Sequence, residues 1–131
     1  GLKSAEKLLA IADAHFHPEI CNPRKLAVWY GFFGEPAHRD TYRELVRDID
    51  AERWDVSVGL CRSICEEGDY ENVDPESVMR DLEALYDGFC LNILIYPDMF
   101  SPDDAKRLIR GYLARTFPAH FGPPEETVIL S

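Results

Sequence analysis

Positive charge is scarce in this chain of 131 residues: 14 lysines and arginines face 24 aspartates and glutamates, for a formal net charge of −10. Nucleic acids are held by basic side chains that displace counterions from phosphate, so this surface disfavours direct binding of DNA or RNA. It tolerates, and mildly attracts, a cationic ligand. Runs that alternate apolar and polar residues are also missing, as are strong hairpin-type turn signals, which leaves no basis for a sheet. No apolar run approaches the roughly 20 residues needed to span a bilayer. There is no Gly-rich phosphate loop, no G-x-S-x-G elbow and no recognisable carboxylate pair, so the sequence argues against an enzyme and offers no cofactor motif. Cysteines number only four. Three of them (Cys61, Cys65 and Cys90) lie in amphipathic helical patterns, and no signal peptide precedes them. Reduced thiols in a cytoplasmic protein are therefore expected rather than a disulfide framework.

What the chain does have is helical periodicity, and enough length for one domain with one core. The most informative stretch is Asp74 to Tyr96. Asp74 is a good N-cap, and Pro75 occupies the first helical position, where its missing N–H costs nothing. Val78, Leu82, Leu85, Tyr86, Phe89 and Ile93 form one apolar face. Ala84, Gly88, Leu91 and Ile95 form another. A helix that is apolar on two sides must be covered on both, which predicts the chain's own core on one face and a second copy of the chain on the other.

The remaining elements follow in order. Leu2 to Phe16 predicts a helix, interrupted at His17-Pro18 because the residue before proline is driven out of α geometry. Asn22-Pro23 starts a second helix, carrying Leu26, Trp29, Tyr30 and Phe33 and closed by Gly34 and Pro36. A long helix is predicted from about Ala37 to Glu67, with Tyr42, Leu45, Val46, Ile49, Val56, Leu60 and Ile64 as its main stripe. Trp54, Val58, Cys61 and Cys65 flank that stripe. Ser101-Pro102-Asp103-Asp104 opens a last helix with a cap, a proline and two carboxylates at the positive end of the dipole. Phe117-Pro118 ends it, and residues 122–131 are expected to form a loose tail. The predicted fold class is all-α, with about five helices.

Several segments carry a resemblance. KLLAIADAHF, the LAVWYGFFGEP helix, ALYDGFCLNILI and SPDDAKRLIRGYLARTF occur in an order and spacing that resembles the C-terminal regulatory domain of TetR-family transcriptional repressors. The resemblance runs from Leu8 to Phe117 and falls in the BetI-like branch, whose members respond to choline. Its most specific pieces are AVW-x-x-F at Ala27 to Phe32, Leu85-x-Asp87-Gly88, and D-A-x-R-L-I-R-x-Y-L at Asp104 to Leu113. It departs from the branch at Phe89-Cys90, where a pair such as Leu-Trp is more typical. The resemblance implies an effector-binding and dimerisation domain over residues 1–121, acting as a homodimer and reaching operator DNA only through an N-terminal helix-turn-helix module that no segment here matches. It further implies that the last two helices of each subunit build a four-helix bundle, with Ala84, Gly88, Leu91, Ile95, Leu108 and Tyr112 at the dimer interface.

Trp29, Tyr30, Phe33, Trp54, Tyr86 and Phe89 are the candidate ligand-binding residues. Aromatic faces carry negative quadrupoles, so a choline-like quaternary ammonium can dock on them without a hydrogen-bond partner. The same residues at helical spacing can equally pack as ordinary core. Asp87 is either an anionic partner for such a cation or a solvated polar contact. An alternative reading is a small helical metal- or redox-binding protein that uses His15, His17 and Cys21, in the run Asp13-x-His15-x-His17, or Cys61 and Cys65. Against it, positions i and i+2 of a helix point about 200° apart, and two cysteines one turn apart lack the second pair that a zinc site needs. His38 and His120 are expected at the surface.

Overall fold

The computed structural model describes residues 3–122, which are helical almost throughout and contain no strand among them. Six helices follow in order: α1 (Ser4–Ala14), α2 (Pro23–Phe33), α3 (Pro36–Gly68), α4 (Pro75–Ile95), α5 (Pro102–Thr116) and α6 (Pro118–Phe121). Every helix after the first begins with proline. At the first helical position the ring removes an N–H that had no intrahelical partner and presets φ. The caps complete these starts. Asn22 accepts from the Lys25 amide, Asp74 from that of Ser77, and Ser101 with Asp104 forms a reciprocal capping box, each cap contributing on the order of 1 kcal/mol.

Two helix boundaries differ from expectation. α1 ends at Ala14 with His15 as its C-cap, so Phe16 leaves the helix yet is fully buried in the turn that follows. After α5 the chain does not loosen at once. Phe117 is buried, and Pro118 starts the short α6. Of the expected tail, residues 123–131 lie outside the described residues.

The core sits between α1, the second half of α3, α4 and α5. Leu8, Ala12 and Phe16 meet Val58, Cys61 and Ile64 from α3, Val78, Met79, Leu82, Tyr86 and Ile93 from α4, and Ala105, Ile109, Leu113 and Phe117 from α5 and its end. Each large aliphatic or aromatic side chain buried here contributes about 1.5–3 kcal/mol. α2 gives the core only Leu26 and packs along α3 and α4.

The stripe predicted for α3 is corrected by these contacts. The buried residues on α3 are Ser57, Val58, Cys61 and Ile64, whereas Leu45, Ile49 and Val56 are 75%, 67% and 53% exposed. The reason is length. α3 has 33 residues, while α1 and α2 have 11 each and α4 has 21, so its first half outruns the helices that could cover it.

The end of α3 is built around a close approach. Asp69 takes a left-handed conformation, φ 51°, and returns the chain so that the ring of Tyr70 lies over Gly68. A Cβ on Gly68 would stand 2.3 Å from that ring. The Tyr70 ring packs edge-on against Phe117, and its hydroxyl accepts from the Ala119 amide and bonds His120 Nδ1 at 3.0 Å. His120 reaches Glu67 at 3.1 Å through Nε2. It is therefore not the free surface residue expected, but the tie between α6 and the end of α3.

Candidate functional site

The six aromatic candidates occupy three places rather than one. Trp29 and Phe33 stand at the outer α2–α3 corner, stacked at 5.6 Å, with Phe32 and Tyr42 edge-on to them. Trp29 is 47% exposed, and an open groove of about 420 Å³ runs past Phe33 and Tyr42 beside Arg39, Asp40 and Arg43. His38 stacks on Phe32 at 4.6 Å. Trp54, farther along α3, already carries a cation: the Arg80 guanidinium of α4 lies 5.4 Å from its ring centre. Tyr86 and Phe89 face inward from α4 and meet Phe16 at 6.0 and 6.3 Å, with Phe100 against Phe89 at 5.4 Å. Tyr30 joins the inner side, where its hydroxyl donates to the Asp87 carbonyl at 3.1 Å and ties α2 to α4.

Polar groups surround Tyr86. His15 stacks flat on its ring, 3.9 Å between centres, and donates from Nδ1 to the Ile11 carbonyl at 2.9 Å. Burial holds the His15 imidazole below its ordinary value, against that hydrogen bond and the nearby Glu83 carboxylate, which raise it. Burial likewise pushes the Tyr86 phenol up, helped by the negative charges of Glu83 and Asp13. The Asp87 carboxyl is also raised, by desolvation first and by Glu83 second. Arg53 of α3 donates to Glu83 of α4 at 2.5 Å in a half-buried ion pair, and Arg110 of α5 lies 3.9 Å from Asp13.

Three buried side-chain oxygens have no hydrogen-bond partner among the described residues: Asp13 Oδ1, Ser57 Oγ and Tyr86 OH. They come from α1, α3 and α4. Folded proteins pair nearly all such atoms, because each one left alone costs about 1–3 kcal/mol. Asp13 drew attention in the sequence as part of a metal pattern. Ser57 did not, although a hydroxyl one turn from Cys61 on the core face was a visible signal.

The cysteines and histidines are distributed differently from the alternative reading. His15 is held by Ile11 and Tyr86, His17 Nδ1 accepts from the Glu19 amide, and Cys21 is buried beside Cys90 with 3.7 Å between sulfurs. Among the described residues no group of three or more His, Cys, Asp or Glu is arranged to hold a metal ion. Cys61 and Cys65 remain free thiols one turn apart, and burial pushes the Cys61 thiol up to about 12. The pairing of Cys21 with Cys90 went unseen in the sequence because nothing local links residues 69 positions apart.

On the far side of α4, Ala84, Leu91 and Ile95 are exposed, with Leu91 at 41% and Ile95 at 54%. Leu108 of α5, 39% exposed, is the other large apolar residue among the candidate interface positions left exposed. Gly88 is half-buried, and a Cβ there would meet nothing within 4 Å. Tyr112 donates to Asp81 at 2.8 Å, bridging α5 to α4. Among the described residues no helix is long and apolar enough to cross a membrane.

Among known families, the one described as BetI-type transcriptional repressor, C-terminal, matches the chain over residues 4–118. No curated protein and no solved structure matches the chain. With an all-helical fold and a family match over most of its length, the chain belongs to the C-terminal domains of BetI-type transcriptional repressors.

Proposed function

We propose that this domain senses a small cationic effector of the choline type, dimerises through α4 and α5, and so controls operator binding by an N-terminal DNA-binding domain. The observation that carries the sensing role is the set of unpartnered buried oxygens on Asp13, Ser57 and Tyr86, from three helices that share one core, together with the inward aromatic rings of Tyr86 and Phe89. A carboxylate, a hydroxyl and π faces together suit a cation with one polar end. Tyr30 with Asp87 borders the same region. Trp54 contributes one face from α3, with its Arg80 partner as competitor. Trp29 and Phe33 belong to the outer corner and act on α3 rather than on the ligand.

The effector acts by preferring one arrangement of α1 against α3 and α4, which shifts the population towards it. α1 packs on α3 and α5 and comes first in the chain, so its displacement is the change passed to the DNA-binding heads. Those heads meet half-sites about one DNA turn apart. The uncovered apolar residues Leu91, Ile95 and Leu108 support the dimer.

A thermal-shift screen against choline, betaine aldehyde, glycine betaine and unrelated small cations tests the sensing role. A ligand specific to the folded state adds about 2.7 kcal/mol at a hundredfold excess over its Kd. Choline is expected to raise the midpoint in the native chain, and less so in Tyr86→Phe, which keeps the ring and loses the hydroxyl. No response to any cation would overturn the proposal.

A further inference from the structure

We propose that Cys21 and Cys90 form a reversible thiol–disulfide pair, closed by a hydroperoxide, that fastens the turn before α2 to the middle of α4. The two sulfurs lie 3.7 Å apart, in contact as thiols, and come from positions 69 residues apart in the sequence. Neither is placed there by accident of one helix. Cys21 ends a tight turn in which its amide donates to the His17 carbonyl at 2.7 Å, and Asn22 then caps α2. Cys90 projects from α4 one turn beyond Tyr86 and three residues beyond Asp87, whose carbonyl anchors Tyr30. A bond between the sulfurs would therefore fix the start of α2 where the Tyr30 contact already fixes its third turn.

The pair differs from the other two cysteines in chemistry as well as position. Cys21 is drawn below the usual thiol range by the hydrogen bond from Cys90, which keeps Cys90 protonated and raised. Cys61 is pushed up by burial, and Cys65, also raised by burial, points its thiol at the Val73 carbonyl. The nucleophile is the thiolate, so the pair has a sulfur prepared to react and the α3 cysteines do not. Cys21 itself is buried, but Cys90 is only partly so, which gives a small peroxide its approach. The Cys21 sulfur attacks one peroxide oxygen, the O–O bond breaks, and the alcohol or water leaves with a proton. Cys21 is then a sulfenic acid. The Cys90 sulfur attacks it, the S–O bond breaks, and water leaves with the Cys90 proton. Two thiols have lost two electrons, and the peroxide has gained them.

The test uses the chain itself, treated with graded hydrogen peroxide, alkylated, and mapped by peptide mass spectrometry. The expected result is the loss of two of the four free thiols, a linked peptide joining Cys21 to Cys90, and full recovery with dithiothreitol. Cys61→Ala and Cys65→Ala are expected to keep the link, and Cys21→Ala and Cys90→Ala to abolish it. The native-chain map does not depend on how well those variants fold. A Cys61–Cys65 link, a link between chains, irreversible oxidation of Cys21 alone, or four intact thiols at a peroxide excess that oxidises glutathione would each overturn the proposal.

Discussion

The hydroxyl of Tyr30 donates to the backbone carbonyl of Asp87 across the α2–α4 interface, 3.1 Å apart and 57 residues apart in sequence. That carbonyl belongs to a helix turn, so the contact holds α2 to the backbone of α4 and not to a mobile side chain. Tyr30→Phe is expected to cost about 0.5–1.5 kcal/mol of stability, the net worth of one such bond. Urea unfolding checks it. An unchanged midpoint would mean that Leu26 and the cysteine pair hold α2 without help.

Gly68→Ala is expected to destabilise by about 1–3 kcal/mol, the usual cost of forcing a methyl into filled space. The ring it would strike, at 2.3 Å, cannot easily retreat because Phe117 and His120 hold it. The loss should shrink sharply when Tyr70 is already alanine. A cost equal in both backgrounds would place the effect elsewhere.

The half-buried His15 makes stability depend on pH in a stated direction. Its folded value is depressed, so between that value and the ordinary 6.5 or so the unfolded chain binds more protons than the folded one. Stability is thus complete above about 6.5 and falls as the pH drops through the depressed value. Glu83 and Asp87 oppose this shift and Arg53 reinforces it. Replacing His15 by Gln should flatten the stability profile over that window in pH-dependent thermal melts. A profile as steep as that of the native chain would assign the slope to another group.

Leu91→Glu combined with Ile95→Glu tests the dimer. Both side chains are exposed in the single chain, so the substitutions should leave the fold intact. At a buried interface the two charges should weaken association by several kcal/mol, more than a hundredfold in Kd. Sedimentation would then show a dimer for the native chain and a monomer for the variant. A native chain that sediments as a monomer at high concentration would remove the interface.

Much of the fold is legible in the sequence because its punctuation is local. Pro23, Pro75 and Pro102 each mark a helix start that a side-chain cap confirms, whereas Pro36, which the sequence offered as the close of α2, begins α3. Pro118 was legible only as an end, although it also begins α6. Periodicity states that a helix has an apolar stripe but not which neighbour is long enough to cover it, so the core face of α3 was misplaced onto Leu45, Ile49 and Val56. The aromatic candidates could be picked out by type, yet their division into outer corner, Trp54 and interior depends on how α2 crosses α3 and α4. Pairs such as Cys21 with Cys90, or His120 with Glu67, exist only in three dimensions.

The length of α3 has a mechanical consequence. Its 33 residues extend roughly 50 Å, with one half clamped in the core and the other braced by the α2 corner, where Phe33 and Trp29 meet Tyr42 and Phe32 meets His38. Such a beam magnifies rotation: a tilt at the clamped half near Ser57 travels farthest at the opposite end. Trp29 stands 5.9 Å from Tyr42 at that end and is nearly half exposed. Its fluorescence is therefore a built-in gauge of movements that begin in the interior, some distance from the indole itself.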